Sequence, residues 1–448
     1  MGGDRDPLEG LIDELLTRAG AGAKLGLERV AEALHAVGDP QTGLAVVHVA
    51  GTNGKGSCCA MVEAVARRAG LRTGLFTSPH LRRFNERIRI DGAPIDDQRF
   101  AAALTRALCD DLPRLSFFEA LTVAALLAMR DAAIDLAILE VGLGGRLDAT
   151  NVIDRPLVTA ITSIGHDHEH FLGNDIADIA WEKASIFKRD VPAIIGPISG
   201  RAAARIAAVG RDKGCRAPIW HVVTEDEGHR AEVAELGHAP VTVTANGDGA
   251  WRLAAPDGRT TVAHPSLAGP HQVHNAAVAA SVAWLAADHF PALAGHLPEG
   301  LAATRWPGRL ERLAAQGKSV LLDCAHNEQA VIALCEALGP ADPERTLLVF
   351  GTMDGKPWRP MLERLAPHAG RRIYCEPMVE MAGRAPAPPT ELCKVAPGEV
   401  APDPEGAIAK ALREAGPDDT ILVTGSIFLV GTVRAVLRGQ ARDVIVPL

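Results

Sequence analysis

A short apolar run, Ala45-Val46-Val47-His48-Val49-Ala50, passes directly into Gly51-Thr52-Asn53-Gly54-Lys55-Gly56-Ser57 and then into CCAMVEAVARRAG, whose apolar spacing is helical as far as Gly70. Strand, glycine-rich turn and helix in immediate succession is the order that a phosphate-binding unit needs. Glycines let backbone N–H groups turn inward around an anion, and the helix aims its positive end at the same place. Lys55 is placed to bridge β- and γ-phosphates, and Ser57 to ligate Mg²⁺ through its hydroxyl. The spacing is not G-x-x-x-x-G-K-[ST], because Gly56 stands between the lysine and the serine and the loop is shorter. A glycine-rich turn with no ligand is the alternative. The coincidence of an apolar strand, three glycines, a lysine and a serine argues against it.

The rest of the chain alternates in the same way. SFFEALTVAALLAMRDA reads as a buried helix, LAILEVGLGG and PLVTAITSIG as strands, IADIAWEKASIFK as an amphipathic helix and VPAIIGP as a short strand. Such alternation predicts an α/β fold whose sheet is mostly parallel and covered on both faces. Between Pro218 and Pro265, IWHVV, APVTVTANGDGAWRLAA and TTVAH read as a small antiparallel addition. HQVHNAAVAASVAWLAADHF returns to helix. Trp306-Pro307-Gly308 punctuates the chain, and beyond it SVLLDCA, TLLVFGTM, RRIYCE and DTILVTGS restart the alternation with helices at Gln329–Leu338 and near Ala407–Ala415. The expected division is a first domain over residues 1–305, a hinge at 306–309 and a smaller Rossmann-like α/β domain over 310–448. APAPP at 385–389 reads as a surface loop.

With 448 residues the chain is too long for one ordinary core. Its net charge of -9, without a basic domain or Lys/Arg run, argues against a nucleic-acid binder. The acidic beginning MGGDRDPLEGLIDELL is unlike a signal peptide, no uninterrupted apolar stretch is long enough for a membrane span, and the eight cysteines include no C-x-x-C. A cytoplasmic protein with free thiols is expected.

Two clusters carry further chemistry. Glu140 closes the apolar run LAILE ahead of Val141-Gly142-Leu143-Gly144-Gly145-Arg146-Leu147-Asp148-Ala149-Thr150-Asn151. A carboxylate at the carboxyl end of a buried strand needs a cation or a hydrogen-bond donor. A metal beside the phosphate loop would supply one, and pairing with Arg146 is the other possibility. Ser163-Ile164-Gly165-His166-Asp167-His168-Glu169-His170 follows another strand. Its histidines resemble a zinc cluster, but no thiolate or second H-x-x-x-H set accompanies them. One histidine serving a nucleotide-bound Mg²⁺ and loop histidines without any ligand both remain open. Lys183, in WEKASIFK, shares a helical face with Ile179 and Ile186-Phe187. Its ammonium is expected to be partly buried, where it titrates downward or snorkels toward Glu182 or Glu169.

VAGTNGKGS, SPHLRRFNERI, SFFEA, EVGLGGRLDATN, DHEHFLG, EKASIFK, WPGRLE, LDCAHN and TGSIFLVG occur in this order over nearly the whole chain. Together they resemble the folylpolyglutamate synthases, often also dihydrofolate synthases, of the Mur ligase superfamily. The phosphate loop alone points only to the superfamily; SPHL, GGRLDATN and DCAHN narrow it to the folate branch. The resemblance implies an ATP-dependent ligase that adds L-glutamate to dihydropteroate and to reduced folates through an acyl phosphate. It implies that Gly51, Thr52, Asn53, Gly54, Lys55, Gly56 and Ser57 hold the nucleotide phosphates. Asn275, Arg309, Asp323 and His326 would close over the nucleotide from the helix after Gly269-Pro270, the hinge and the second domain. Ser57 and Glu140 would hold one Mg²⁺ and His168 would help to hold a second, supported by a carbamylated Lys183. Lys55, Lys183 and His326 would carry the chemistry, and Ser116, Phe118, Asp148 and Ala149 would shape a pterin pocket. The implied partners are small molecules only, with no nucleic acid and no membrane, and the implied state is a monomer. Three departures stand out: Ser185 replaces the glycine of EKAGIF, Cys58-Cys59 follow the phosphate loop, and the metal-histidine segment begins Gly165-His166 rather than with two apolar residues. A cell-wall ligase of the same superfamily and a non-enzymatic nucleotide-binding protein are the rival readings.

Overall fold

A computed structural model describes residues 7–19, 26–167, 169–378 and 385–441. Eleven strands form the first sheet: β1 (Ala45–Ala50), β2 (Thr73–Phe76), β3 (Ile88–Ile90), β4 (Ala93–Pro94), β5 (Leu136–Glu140), β6 (Val158–Ile161), β7 (Pro192–Ile195), β8 (Arg216–Val223), β9 (Ala239–Ala245), β10 (Trp251–Ala254) and β11 (Thr260–Ala263). Their order is β11-β10-β9-β8-β7-β6-β1-β5-β2-β3-β4. The run from β2 through β5, β1, β6, β7 and β8 to β9 is parallel. Only β3–β4 at one edge and β10–β11 at the other are antiparallel.

The antiparallel addition is therefore narrower than the sequence reading placed it. β8 and β9 pair in parallel because a helix, Glu227–Glu235, crosses between them. That helix buries only His229 and Val233, so its apolar periodicity is too weak to show in the sequence.

Helices cover both faces. Lys55–Arg68 and Pro270–Ala286 pack together on one side, with Met61, Val65, Val278, Val282 and Trp284 in a shared core. Phe117–Asp131 covers the other, where Leu121, Leu126 and Met129 meet Phe76, Ala137 and Leu139. Phe117–Asp131 is buried along nearly its whole length, which is why its sequence is apolar almost all round, whereas Lys55–Arg68 keeps its charges mainly at its two ends.

The second sheet contains β12 (Glu311–Ala315), β13 (Lys318–Leu322), β14 (Thr346–Phe350), β15 (Arg371–Tyr374), β16 (Glu399–Val400) and β17 (Thr420–Thr424) in the order β12-β13-β17-β14-β15-β16. It is parallel except for the β12–β13 hairpin, whose two-residue turn has Gln316 and Gly317 at φ 51° and 72°. Positive φ at both central residues matches the right-handed twist of the flanking strands. APAPP is not a simple surface loop: Ala387 and Pro389 are buried, Pro386 bridges to Met353, and Pro389 opens a helix, Pro389–Val395. Among the described residues no helix is long and apolar enough to cross a membrane.

Candidate active site

The carboxyl edge of the large sheet gathers the charged residues. Register pairs Val49 with Glu140 of β5, and Ala50 with Ile161 of β6, so Glu140 and Thr162-Ser163 flank the phosphate loop on its two neighbouring strands. This is the crevice where connections leave to either side, the usual ligand position in open α/β sheets.

The loop is held from the β6 side. Asn53 N–H donates to Ser163 Oγ at 2.9 Å, Thr52 N–H to Ser163 O at 2.9 Å, Thr162 Oγ1 to Asn53 O at 2.7 Å and Gly165 N–H to Thr52 Oγ1 at 3.0 Å. Gly54 caps the following helix at φ 85°, and a side chain there would collide with Asn275 Oδ1. Asn275 is buried and donates to Gln272 Oε1 at 3.0 Å. A side chain on Gly56 would come within 2.9 Å of Trp306 Nε1, so the indole covers the loop. Lys55 Nζ donates to the loop's own carbonyls, Gly51 O at 3.0 Å and Thr52 O at 3.3 Å. Phosphate oxygens are stronger acceptors for that ammonium than neutral carbonyls.

Next to the loop is a set of hard oxygen donors. Ser57 Oγ is buried with no hydrogen-bond partner among the described residues. Glu140 is buried and accepts from Ser78 N–H at 3.2 Å, and burial pushes its carboxyl up to about 7 against the opposing pull of Lys55, the Ser78 amide, Arg309 and Arg87. Ser78 lies within SPHL, where sequence reasoning gives it no role at the metal, because nothing local places its amide on Glu140. Its hydroxyl is a second buried orphan beside Glu140. Buried hydroxyls without partners, next to a carboxylate short of a counter-ion, fit a magnesium ion. His168 lies outside the described residues.

The alternative pairing of Glu140 with Arg146 does not occur. Arg146 Nε donates to Glu182 Oε1 at 3.0 Å and its guanidinium lies 4.9 Å from the Trp181 ring centre. Lys183, on the helix Ile176–Ala184, is buried and does not snorkel. Burial first, and Lys55 second, push its ammonium down to about 7, with Asp167, Asp148 and Glu182 opposing. Ser185 fits at the family's glycine position because its hydroxyl turns back to Trp181 O at 2.8 Å.

The second domain closes the site. Asp323 accepts from Leu310 N–H at 3.0 Å and Ala325 N–H at 2.9 Å, which fixes the turn after β13. His326 Nδ1 lies 2.9 Å from Cys324 O. Between the domains is a cavity of about 290 Å³, lined by Ser78, His80 and Glu140 on one side and Trp306, Arg309 and Cys324 on the other. Arg82, Arg89, Arg434 and Arg438 also line it, Arg82 paired with Glu86 and Arg434 and Arg438 with Glu311.

The proposed pterin-shaping residues group separately. The helix Phe117–Asp131 contacts the short helix Ala149–Val152, and Phe118 and Ala149 share one apolar cluster, the Phe118 ring 5.6 Å from Phe76. Ser116 forms a capping box with Glu119. Asp148 accepts from Gly142 and Leu143 N–H at 3.0 and 2.9 Å and from both the amide and the hydroxyl of Thr150, so its carboxylate is already fully used by the loop it organises. A ligand N–H there would share or displace one of these donors. Ser116→Ala is expected to cost about 1 kcal/mol of stability through the lost cap. Ser116→Thr is expected to keep it, and the melting temperatures of the two variants check this.

The Mur ligase middle domain matches residues 49–283, and the Mur ligase, glutamate ligase domain matches residues 308–427. Two α/β domains in this order, with the phosphate loop in the first, make the chain a Mur-type ligase. The folylpolyglutamate synthase of Lacticaseibacillus casei is 33% identical over 92% of this chain and 94% of its own length. The dihydrofolate synthase/folylpolyglutamate synthase of Bacillus subtilis is 32% identical over 93% of this chain and 96% of its own. The structure of E. coli FolC in complex with DHPP and ADP superposes with a TM-score of 0.81 at 29% identity, covering 98% of this chain and 99% of that one. A bifunctional folylpolyglutamate synthase/dihydrofolate synthase with Mn, AMPPNP and L-glutamate bound gives 0.80 at 30% identity, covering 97% and 98%. The chain belongs to the folylpolyglutamate synthase/dihydrofolate synthase family of Mur ligases.

Proposed function

We propose that this chain joins L-glutamate to dihydropteroate and to the γ-carboxylate of reduced folates, consuming ATP and releasing ADP and phosphate. The observation that carries this is the cavity between the domains, which brings Gly56 of the phosphate loop, Glu140 and Arg309 to one space. Full-length likeness to the L. casei and B. subtilis enzymes supports the substrate class.

The chemistry follows from the groups present. A carboxylate is a poor electrophile because its leaving group would be oxide; as an acyl phosphate it loses phosphate instead. Within residues 51–57 the amides from Gly54 to Ser57 face the nucleotide phosphates, those of Thr52 and Asn53 being held by Ser163, and Lys55 exchanges its loop carbonyls for phosphate oxygens. Asn275 and Trp306 hold the loop's shape through Gly54 and Gly56. Ser57, Glu140 and His168 would hold Mg²⁺, with Ser78 beside Glu140. Magnesium supplies neutralising charge to the transferring phosphoryl group when bound. Arg309 faces the same charge, and Asp323 fixes the turn that carries His326, whose claim to be the amine's base rests on its place in the DCAHN motif.

Lys183 fits carbamylation. A buried amine pushed down to about 7 is about half neutral at neutral pH, and neutral amine plus carbon dioxide gives a carbamate and a proton. The carbamate replaces a costly buried ammonium with an anionic oxygen ligand. Phe118 and Ala149 offer an apolar face to a pterin, with Ser116 and Asp148 at its edge. The linker 306–309 is the hinge: Leu297 and Leu301 still belong to the first core, while β12 starts at Glu311. The protein acts as a cytoplasmic monomer; its eight free cysteines support the reducing compartment.

Pure protein with ATP, Mg²⁺ and glutamate is expected to release ADP with dihydropteroate and, in a separate reaction, with tetrahydrofolate. Turnover with tetrahydrofolate alone would remove the dihydropteroate activity and leave the ligase.

A further inference from the structure

One carboxylate outside the roles described so far ties the two domains together. Asp167 lies in the segment after β6, and three side chains of the second domain converge on it. Lys356 Nζ pairs with Oδ1, Asn327 Nδ2 donates to Oδ2 at 3.2 Å, and His326 Nε2 lies 3.4 Å from Oδ2. The Asp167 side chain is 8% exposed and that of Lys356 20%. Beside them Asn53 of the phosphate loop exchanges hydrogen bonds with Asn327 at 3.0 and 3.2 Å and donates to Gln329 at 2.9 Å. A side chain on Gly165 would collide with Gln329, so the two surfaces meet closely.

Burying a carboxylate is strongly unfavourable unless a cation and hydrogen-bond donors arrive with it. Lys183 of the first domain also acts electrostatically on Asp167, but Lys356, Asn327 and His326 all come from the second domain and reach Asp167 only when that domain docks. Asp167 also belongs to the stretch that holds the phosphate loop through Ser163 and Gly165. Docking and loop geometry are therefore mechanically joined.

We infer that Asp167 is the post on which the second domain closes, with Lys356 as its counter-ion, and that this pair restricts carboxylate activation to the closed, water-excluding state. The inference rests on the ligase reading above. Asp167 and Lys356 are positioning residues: neither needs to touch the reacting atoms.

The test uses the full chain and its Lys356→Met, Lys356→Arg and Asp167→Asn variants. Lys356→Met is expected to lower kcat for amide formation about 10²-fold while KM for ATP stays within about threefold, the pattern of a lost closed geometry rather than lost nucleotide binding. Phosphate released per amide is expected to rise above one, because an acyl phosphate in an open cleft is hydrolysed. X-ray scattering with a non-hydrolysable ATP analogue and Mg²⁺ is expected to show a wider particle than wild type. Asp167→Asn should reproduce these changes, and Lys356→Arg should restore the phosphate-to-amide ratio. Wild-type phosphate-to-amide ratio and scattering in Lys356→Met would overturn the inference, as would Asp167→Asn behaving unlike it. If the wild type forms no amide the ligase reading fails instead, and the scattering comparison still decides whether the pair closes the domains.

Discussion

Replacing Lys183 with alanine is expected to lower ligase turnover about 10³-fold, the loss of the several kcal/mol of charge stabilisation that a properly held metal provides. Lys183 is buried at the end of the helix Ile176–Ala184 and its ammonium is pushed down to about 7, so the site favours a group that is not a cation. The alanine variant leaves space for a small carboxylic acid. Added acetate is expected to restore part of the turnover, which a purely structural lysine would not permit. Mass measurement of the intact wild type under carbon dioxide gives a second check through one carbamate of added mass.

Lys55→Ala is expected to have an effect of comparable size, roughly 10³-fold or more in kcat, because the phosphoryl group in transfer loses a preorganised positive charge. Among the described residues Lys55 donates to two loop carbonyls, and its charge also acts on Glu140, which burial already pushes toward the neutral acid, so the variant should melt near the wild-type temperature at neutral pH. Steady-state kinetics and a melting curve on the same preparation separate the two effects.

The parts of this molecule that sequence could reveal are those where local chemistry and global position agree. β1, the phosphate loop and the helix Lys55–Arg68 are contiguous, and every glycine the loop needs is in the sequence. Glu140 was readable because five buried strand residues end on it. Other elements were hidden for identifiable reasons. β2 is four residues long and includes Gly74, whose absent side chain makes room for Met129 and Ile134; this packing requirement leaves no pattern. The helix Asp97–Ala107 did carry a signal, with Asp96 capping it and Phe100, Ala103, Leu104 and Ala107 on one face, and went unread. The helix Glu227–Glu235 had almost no apolar face, so its crossover role and the parallel pairing of β8 with β9 were lost with it.

In the site, the difference is between residues that act within one element and those that meet across the fold. Ser57 and Glu140 follow their own strands. Ser78 becomes visible only when its amide is seen on Glu140. Asp167 and Lys356 are far apart in sequence and are joined only by docking of the two domains. Asp148 was expected at a ligand's edge, and its structure adds that the carboxylate also organises residues 142–150.

The central claim is that the acceptor carboxylate is activated by phosphoryl transfer from ATP at this interdomain cavity. Its most direct measurement is the fate of a heavy-oxygen label placed in the carboxylate of dihydropteroate. During amide formation with ATP, Mg²⁺ and glutamate, one labelled oxygen is expected in the inorganic phosphate for each amide made, with ADP as the nucleotide product. Unlabelled phosphate, or label recovered in AMP, would contradict an acyl phosphate and with it the chemistry assigned to Lys55, Glu140 and Lys183.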